Sequence, residues 1–244
     1  MRFGALGPLL VVDDDGVVRP VAAARHRTVL ALLLLRANRV MSFDELAEAV
    51  WDAAPPPGHR ATLRNYVKLL RQRLGPAGAR LRTQPPGYRL DVGPGELDLD
   101  DLQRLRSSGR ALARAGQWGG AAAALTDALG LFRGPVLADV AAPAVQRDWA
   151  PRLEEVRREV WEARIDAELR LGRHEAVIDD LQRLVQEDPL RERFWLQLMQ
   201  ARHRSGHRAA ALAVYRQARA VLAAELGLEP GPELRRLQHR ILTD

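Results

Sequence analysis

A recurring six-residue pattern constrains the second half of the chain more than any other feature. Leu171-Gly172-Arg173-His174-Glu175-Ala176 is followed 34 residues later by Ser205-Gly206-His207-Arg208-Ala209-Ala210. Glycine at a turn followed by small alanines, at an offset of about 34 residues, is the signature of tetratricopeptide-type helix pairs. The glycine allows the turn, and alanine lets two helices approach closely. Gly116-Gln117-Trp118, with Ala121 and Ala122, looks like a third copy out of period. Helices are expected near 98–115, 118–132, 145–171, 174–188, 190–205, 207–226 and 232–242. Gly116, Gly172, Gly206 and Gly227 close segments, while Pro189 and Pro232 open new ones.

The first 95 residues read differently. Extended segments at Arg2–Val12 and Val17–Arg19 flank the turn cluster Asp13-Asp14-Asp15-Gly16. A helix from about Ala24 to Ala37 carries Val29, Leu30, Leu33 and Leu34 on one face and stops near Asn38. Ser42-Phe43-Asp44-Glu45 is a capping box that starts a short helix with Leu46, Val50 and Trp51 inward. Asp52 to Arg60 holds Pro55, Pro56, Pro57 and Gly58 and is expected to be a loop. A third helix follows from about Ala61 to Leu74. Then Leu81–Thr83 and Gly87–Leu90 flank Gln84-Pro85-Pro86 as a hairpin, and Gly93-Pro94-Gly95 ends the segment. This order of elements fits a winged helix-turn-helix. The expected architecture is therefore mostly α: a winged helix with a small sheet and a wing over 1–95, and an all-α tetratricopeptide-like domain over 96–244.

The charge divides at the same place. Residues 1–95 hold 14 Lys+Arg against 8 Asp+Glu, and residues 96–244 hold 23 of each, so the whole net charge of +6 sits in the first segment. That segment is the candidate for a polyanionic partner. Hydrophobic residues form 47% of the chain, enough to build packed cores rather than a disordered chain. The absence of cysteine removes disulfides and thiolate chemistry, and fits a reducing interior. The central apolar run Val29–Leu35 is far short of the ~20 residues of a membrane span. Gly4, Gly7 and Pro8, with the aspartates after Val12, argue against a signal peptide. The chain reads as cytoplasmic, with no membrane partner.

The chemistry concentrates on the third helix. Leu63, Val67, Leu70 and Leu74 form one stripe, while Ala61, Thr62, Asn65, Lys68, Leu69 and Gln72 face away, with Arg64 and Arg73 toward the edges. No acidic residue interrupts this helix, whereas an ordinary solvated helix mixes acids in. A major groove requires such a surface, with cations for phosphates and amide or guanidinium groups for base edges. Arg82, Thr83, Gln84, Tyr88 and Arg89 on the hairpin add donors, although Tyr88 is equally suited to anchoring the hairpin in the core. The six histidines are scattered, and no phosphate loop or nucleophile-base pattern is present, so neither a metal, a cofactor nor an enzyme is expected. The competing reading is a repeat scaffold that recognises a protein or peptide, with the winged helix as a docking module.

Residues 24–92 resemble the winged-helix domain of OmpR-type response regulators, above all in TLRNYVKLLRQRLG and LRTQPPGYRLDV. Residues 98–244 resemble the bacterial transcriptional activator domain, in ALGLFRGPVLADV, DPLRERFW and ELGLEPGPELRRL. Together they are similar to the SARP family, activators of antibiotic biosynthesis clusters. The resemblance implies a pathway-specific activator that binds double-stranded DNA at direct repeats, as a homodimer at least on DNA, and contacts RNA polymerase. It implies that Thr62, Tyr66, Lys68 and Arg71 meet phosphates and that Arg64, Asn65, Leu69 and Gln72 face bases, with Arg82, Thr83, Gln84 and Tyr88 as wing contacts. It assigns the polymerase contact to the loop, with Asp52, Pro55, Pro56, Pro57, His59 and Arg60. Gln84 stands where a basic residue is usual, and Phe132 where a Trp is usual. Neither a receiver domain ahead of the winged helix nor a nucleotide-binding domain behind the helices is expected.

Overall fold

The computed structural model describes residues 1–243. Contacts group the chain into two compact units: Met1–Ser107 with Asp127–Arg158, and Ser108–Thr126 with the chain from Glu159 onward.

The first unit opens with a hairpin. Strands β1 (Arg2–Gly4) and β2 (Leu10–Val12) pair antiparallel, with Phe3 opposite Val11. The reversal therefore falls at residues 5–9 rather than at the aspartate cluster, beyond which Val18 only bridges to Val12. The tight turn exists because Gly4 and Gly7 leave room for Arg133. A Cβ on Gly4 would stand 2.3 Å from the Arg133 guanidinium, and one on Gly7, whose φ is +144°, would stand 3.0 Å from its Cβ. Arg133 fills that room, donating from its backbone N–H to the Leu6 carbonyl at 2.8 Å and from Nη1 to the Pro8 carbonyl at 2.9 Å.

Helix α1 (Ala24–Leu35) is buried continuously from Thr28 to Leu34, so more than the expected face is covered. Just past its end, Asn38 takes φ +64° and exchanges hydrogen bonds between its side chain and the Val92 backbone, each 2.9 Å. Strand β3 (Met41–Ser42), too short to read from sequence, leads into α2 (Phe43–Trp51). The capping box forms as expected: Ser42 Oγ accepts from Glu45 N at 3.1 Å, and Glu45 Oε2 accepts from Ser42 N at 2.8 Å. Helix α3 (His59–Arg73) starts two residues earlier than expected, because Gly58 at φ +79° makes the turn that starts it. His59 and Arg60 thus belong to the helix rather than to the loop. Strands β4 (Leu81–Gln84) and β5 (Gly87–Leu90) form the wing, in a sheet of order β3-β5-β4.

Helices α4 (Asp98–Arg114), α5 (Trp118–Gly130), α6 (Pro143–Asp148) and α7 (Ala150–Arg170) follow. The single helix expected over 145–171 is thus two helices. Pro151 has no N–H to offer the Arg147 carbonyl, which interrupts the ladder there. The sequence changes character at 95/96, but the packing does not divide there. Val136, Leu137, Val140, Ala142 and Val145 are buried in the same core as α1, α2, α3 and the wing. Arg27 reaches the Asp139 carbonyl at 3.1 Å, and the Asp98 carboxylate accepts from Ala5 N at 2.8 Å and Leu6 N at 2.9 Å. Burial pushes the Asp98 carboxyl up from its ordinary value, and those two N–H groups and Arg133 oppose the shift.

The second unit takes in part of α4, α5 and α7 and all of α8 (Ile178–Glu187), α9 (Glu192–Arg204), α10 (Arg208–Leu226) and α11 (Pro232–Thr243). Its core runs through Ile165, Leu181, Phe194, Met199, Ala211 and Leu234. The three glycine turns share one geometry. Gly116, Gly172 and Gly206 have φ of +73°, +77° and +82°. The next residue bonds back five positions in each case: Gln117 to Leu112 at 2.9 Å, Arg173 to Glu168 at 3.0 Å, and His207 to Arg202 at 2.9 Å. This six-to-one bond is the Schellman motif, and it makes the out-of-period copy at Gly116 a true structural repeat of the other two turns.

Candidate nucleic-acid interface

Helix α3 buries Leu63, Val67 and Leu70 and turns Asn65, Lys68 and Gln72 outward, all three exposed. Arg64 is also exposed, its guanidinium 5.9 Å from the Phe43 ring centre. Leu69 and Thr62 are half-buried at the opposite margin. Many cations of this unit are neutralised: Arg36 by Glu45 at 2.7 Å, Arg60 by Asp44 at 2.9 Å, Arg82 and Arg89 by Asp91 at 2.6 Å each. Arg64, Lys68 and Arg73 have no carboxylate partner among the described residues. The helix therefore presents uncompensated positive charge on its outward side, around two amides able to pair with base edges.

Several residues expected at the DNA also have partners within the fold. Tyr88 is 3% exposed and sits edge-on to Phe43 at 5.0 Å, so its ring is a core element that anchors the wing. Burial pushes its phenol above the ordinary value. Arg71 is a tether: Nε donates to the Leu81 carbonyl at 2.8 Å and Nη2 to Thr83 Oγ1 at 2.9 Å, joining the recognition helix to the wing. Gly78 permits the same junction, since a Cβ there would lie 2.2 Å from the Arg71 carbonyl oxygen. Arg82, Thr83 and Gln84 are exposed along β4, the edge strand. Tyr66 is half-buried, stacked on Trp51 at 6.3 Å and met edge-on by His26 at 5.1 Å. The sequence does not pair His26 with Arg73, because α1 is distant in the chain and only the helical phase of Arg73 is legible there.

The loop between α2 and α3 exposes Pro55, Pro56 and Pro57. The polar residues at its two ends are engaged within the fold. Asp52 pairs with Arg147 of α6 at 3.4 Å, and His59 Nδ1 lies 3.1 Å from the Pro56 carbonyl. Among the described residues, no group of three or more His, Asp or Glu could hold a metal ion, and no helix is long and apolar enough to cross a membrane.

With this geometry in place, the comparisons with known proteins identify the family. Residues 97–242 match the family described as "Bacterial transcriptional activator domain", and residues 21–90 match "Transcriptional regulatory protein, C terminal". The regulatory protein DnrI of Streptomyces peucetius is 37% identical, over 99% of this chain and 92% of DnrI. This chain belongs to the SARP family. Two further SARP relatives are longer. The transcriptional regulatory protein EmbR of Mycobacterium tuberculosis is 39% identical over 99% of this chain and 63% of EmbR. AfsR of Streptomyces coelicolor is 40% identical over 99% of this chain and 24% of AfsR. The chain thus spans less than two thirds of EmbR and nearly all of DnrI. The solved structure of Mycobacterium tuberculosis EmbR in complex with a low-affinity phosphopeptide superimposes with a TM-score of 0.94, at 39% identity, over 99% of this chain and 65% of that one. The SARP architecture of a winged helix followed by a tetratricopeptide-like domain is therefore that of this chain.

Proposed function

We propose that this SARP protein is a cytoplasmic, sequence-specific activator of transcription that binds double-stranded DNA with α3 in the major groove. The carrying observation is the outward side of α3, where Lys68, Arg64 and Arg73 lack carboxylate partners around exposed Asn65 and Gln72. The regulatory names of DnrI and EmbR support the same reading. On this reading the protein governs a secondary-metabolite cluster, binds direct repeats as a homodimer on DNA, and meets RNA polymerase with the loop from Asp52 to Gly58. The three exposed prolines suit that last role, because an extended segment loses little entropy when a partner docks.

The test is duplex binding titrated with salt. Log affinity falls with log salt at about −0.9 per phosphate neutralised, so Lys68→Gln should shallow the slope by about one unit and weaken all sequences alike. A wild-type chain without salt-dependent affinity for any duplex would favour a docking scaffold instead. Replacing Pro55-Pro56-Pro57 by Gly-Ser-Gly should keep the footprint and lower transcript yield with purified polymerase. An unchanged yield would remove the loop from the activation step.

A further inference from the structure

Two phosphate backbones flank any helix that lies in a major groove, so a recognition helix needs a cationic edge on each side. The wing side of α3 carries Arg64 and, across the Arg71 tether, Thr83, with Arg82 beside it paired to Asp91. The other side is built by two helices. At about 100° per residue, Thr62, Tyr66, Leu69 and Arg73 share one margin of α3. There the Tyr66 ring is met by His26 from the first turn of α1, with ring centres 5.1 Å apart at 78°. Arg73 is exposed and His26 half-buried. No carboxylate pairs with either among the described residues.

The remaining charges near His26 are cationic or committed elsewhere. Arg25 donates to the Val50 carbonyl at the end of α2, and Arg27 is tied to Asp139, Val21 and Ala22. Trp51 of α2 closes the far face of Tyr66, and beyond it His59 meets the Trp51 ring edge-on at 6.3 Å, its Nδ1 3.1 Å from the Pro56 carbonyl. Burial pushes the imidazole of His26 below the ordinary histidine value, and the charge of Arg73 adds to that shift. The ring therefore holds a proton less readily than a free imidazole, beside the positive charge of Arg73.

We propose, on the reading that the chain binds duplex DNA, that His26, Tyr66 and Arg73 form a second phosphate-binding edge across α3 from the wing. A backbone phosphate docked there draws a proton from solvent onto His26, converting the neutral ring into an imidazolium donor. DNA affinity then rises as pH falls, and this one side chain carries the dependence.

The test uses the full chain and a random-sequence duplex of about 30 base pairs, which isolates backbone contacts from base reading. Binding is measured across salt at pH 6 and pH 8. Wild type should bind more tightly at pH 6, by up to about tenfold for each unit by which DNA raises the His26 pKa. His26→Gln should lose that gain while keeping its thermal midpoint. Arg73→Gln should shallow the salt slope by about 0.9 at both pH values. In the wild-type protein, the His26 ring resonance should titrate at higher pH with duplex present than without it, a readout that requires no variant. Retention of the full pH dependence by His26→Gln, or an unmoved His26 titration, would overturn the proposal. A normal Lys68→Gln effect alongside those results would leave the DNA-binding reading intact, and absent duplex binding by wild type would sink both.

Discussion

Arg71→Ala separates a tether from a phosphate contact. In the structure the guanidinium makes two charge-assisted hydrogen bonds, at 2.8 Å to the Leu81 carbonyl and 2.9 Å to Thr83 Oγ1. Such bonds contribute about 1.5–3 kcal/mol each when buried. Arg71 is only half-buried and Thr83 is exposed, so solvent screening brings the pair to about 2 kcal/mol together. A loss of that size lowers the thermal midpoint by about 4–8 °C for a chain of this length. It should fall on the wing, so amides of β4 and β5 should exchange faster than those of α1. The salt slope of duplex binding should change by well under one unit, in contrast to Lys68→Gln. A thermal midpoint equal to wild type, together with a slope shallower by about 0.9, would show that Arg71 spends its charge on DNA and that the tether in the structure carries no weight.

Asp98→Ala removes the acceptors of the Ala5 and Leu6 N–H groups and should destabilise the first unit by about 2–4 kcal/mol, read by denaturant unfolding, with Asp98→Asn costing less. Tyr88→Phe should leave both DNA affinity and salt slope unchanged, since only the ring is used; a lower affinity would return the hydroxyl to the interface. Ser42→Ala should cost about 1 kcal/mol through loss of the α2 cap. The Ser42 backbone N–H, the Ser42 hydroxyl and Arg36 hold the Glu45 carboxyl below its ordinary value of 4.5. Its stabilising contribution is therefore complete above pH 4.5 and is lost as pH falls through the depressed folded value. Glu45→Gln should flatten that part of the stability–pH curve, and an unchanged curve would count against the capping box.

Features that depend on a few neighbouring residues were legible in the sequence. The Ser42–Glu45 box, the stripe Leu63, Val67, Leu70, and the glycine turns at Gly116, Gly172 and Gly206 each follow from local chemistry. What escaped depended on partners distant in the chain. The two-residue strand at Met41 exists only because Tyr88 and Gly87 pair with it. Gly4 and Gly7 read as punctuation, whereas their purpose is the seat of Arg133 more than a hundred residues away. Arg71 and Tyr88 carried the right residue types for DNA, but neither a helical wheel nor a strand pattern reveals that a carbonyl of β4 and a ring of α2 are their partners within the fold. The loop ends earlier than its sequence suggests for a similar reason: Gly58 takes a left-handed φ and starts α3 at His59.

The burial of Val136, Leu137, Val140, Ala142 and Val145 in the winged-helix core has a consequence for how such proteins can be rearranged. A gene fusion or truncation cut at residue 95 would sever that core and open its apolar seat to water, producing an adhesive fragment rather than a portable reader. Exchange of specificity between homologues must therefore carry the segment through Arg158 with it, or keep the whole block. DnrI, EmbR and AfsR differ greatly in length, yet each aligns with 99% of this chain.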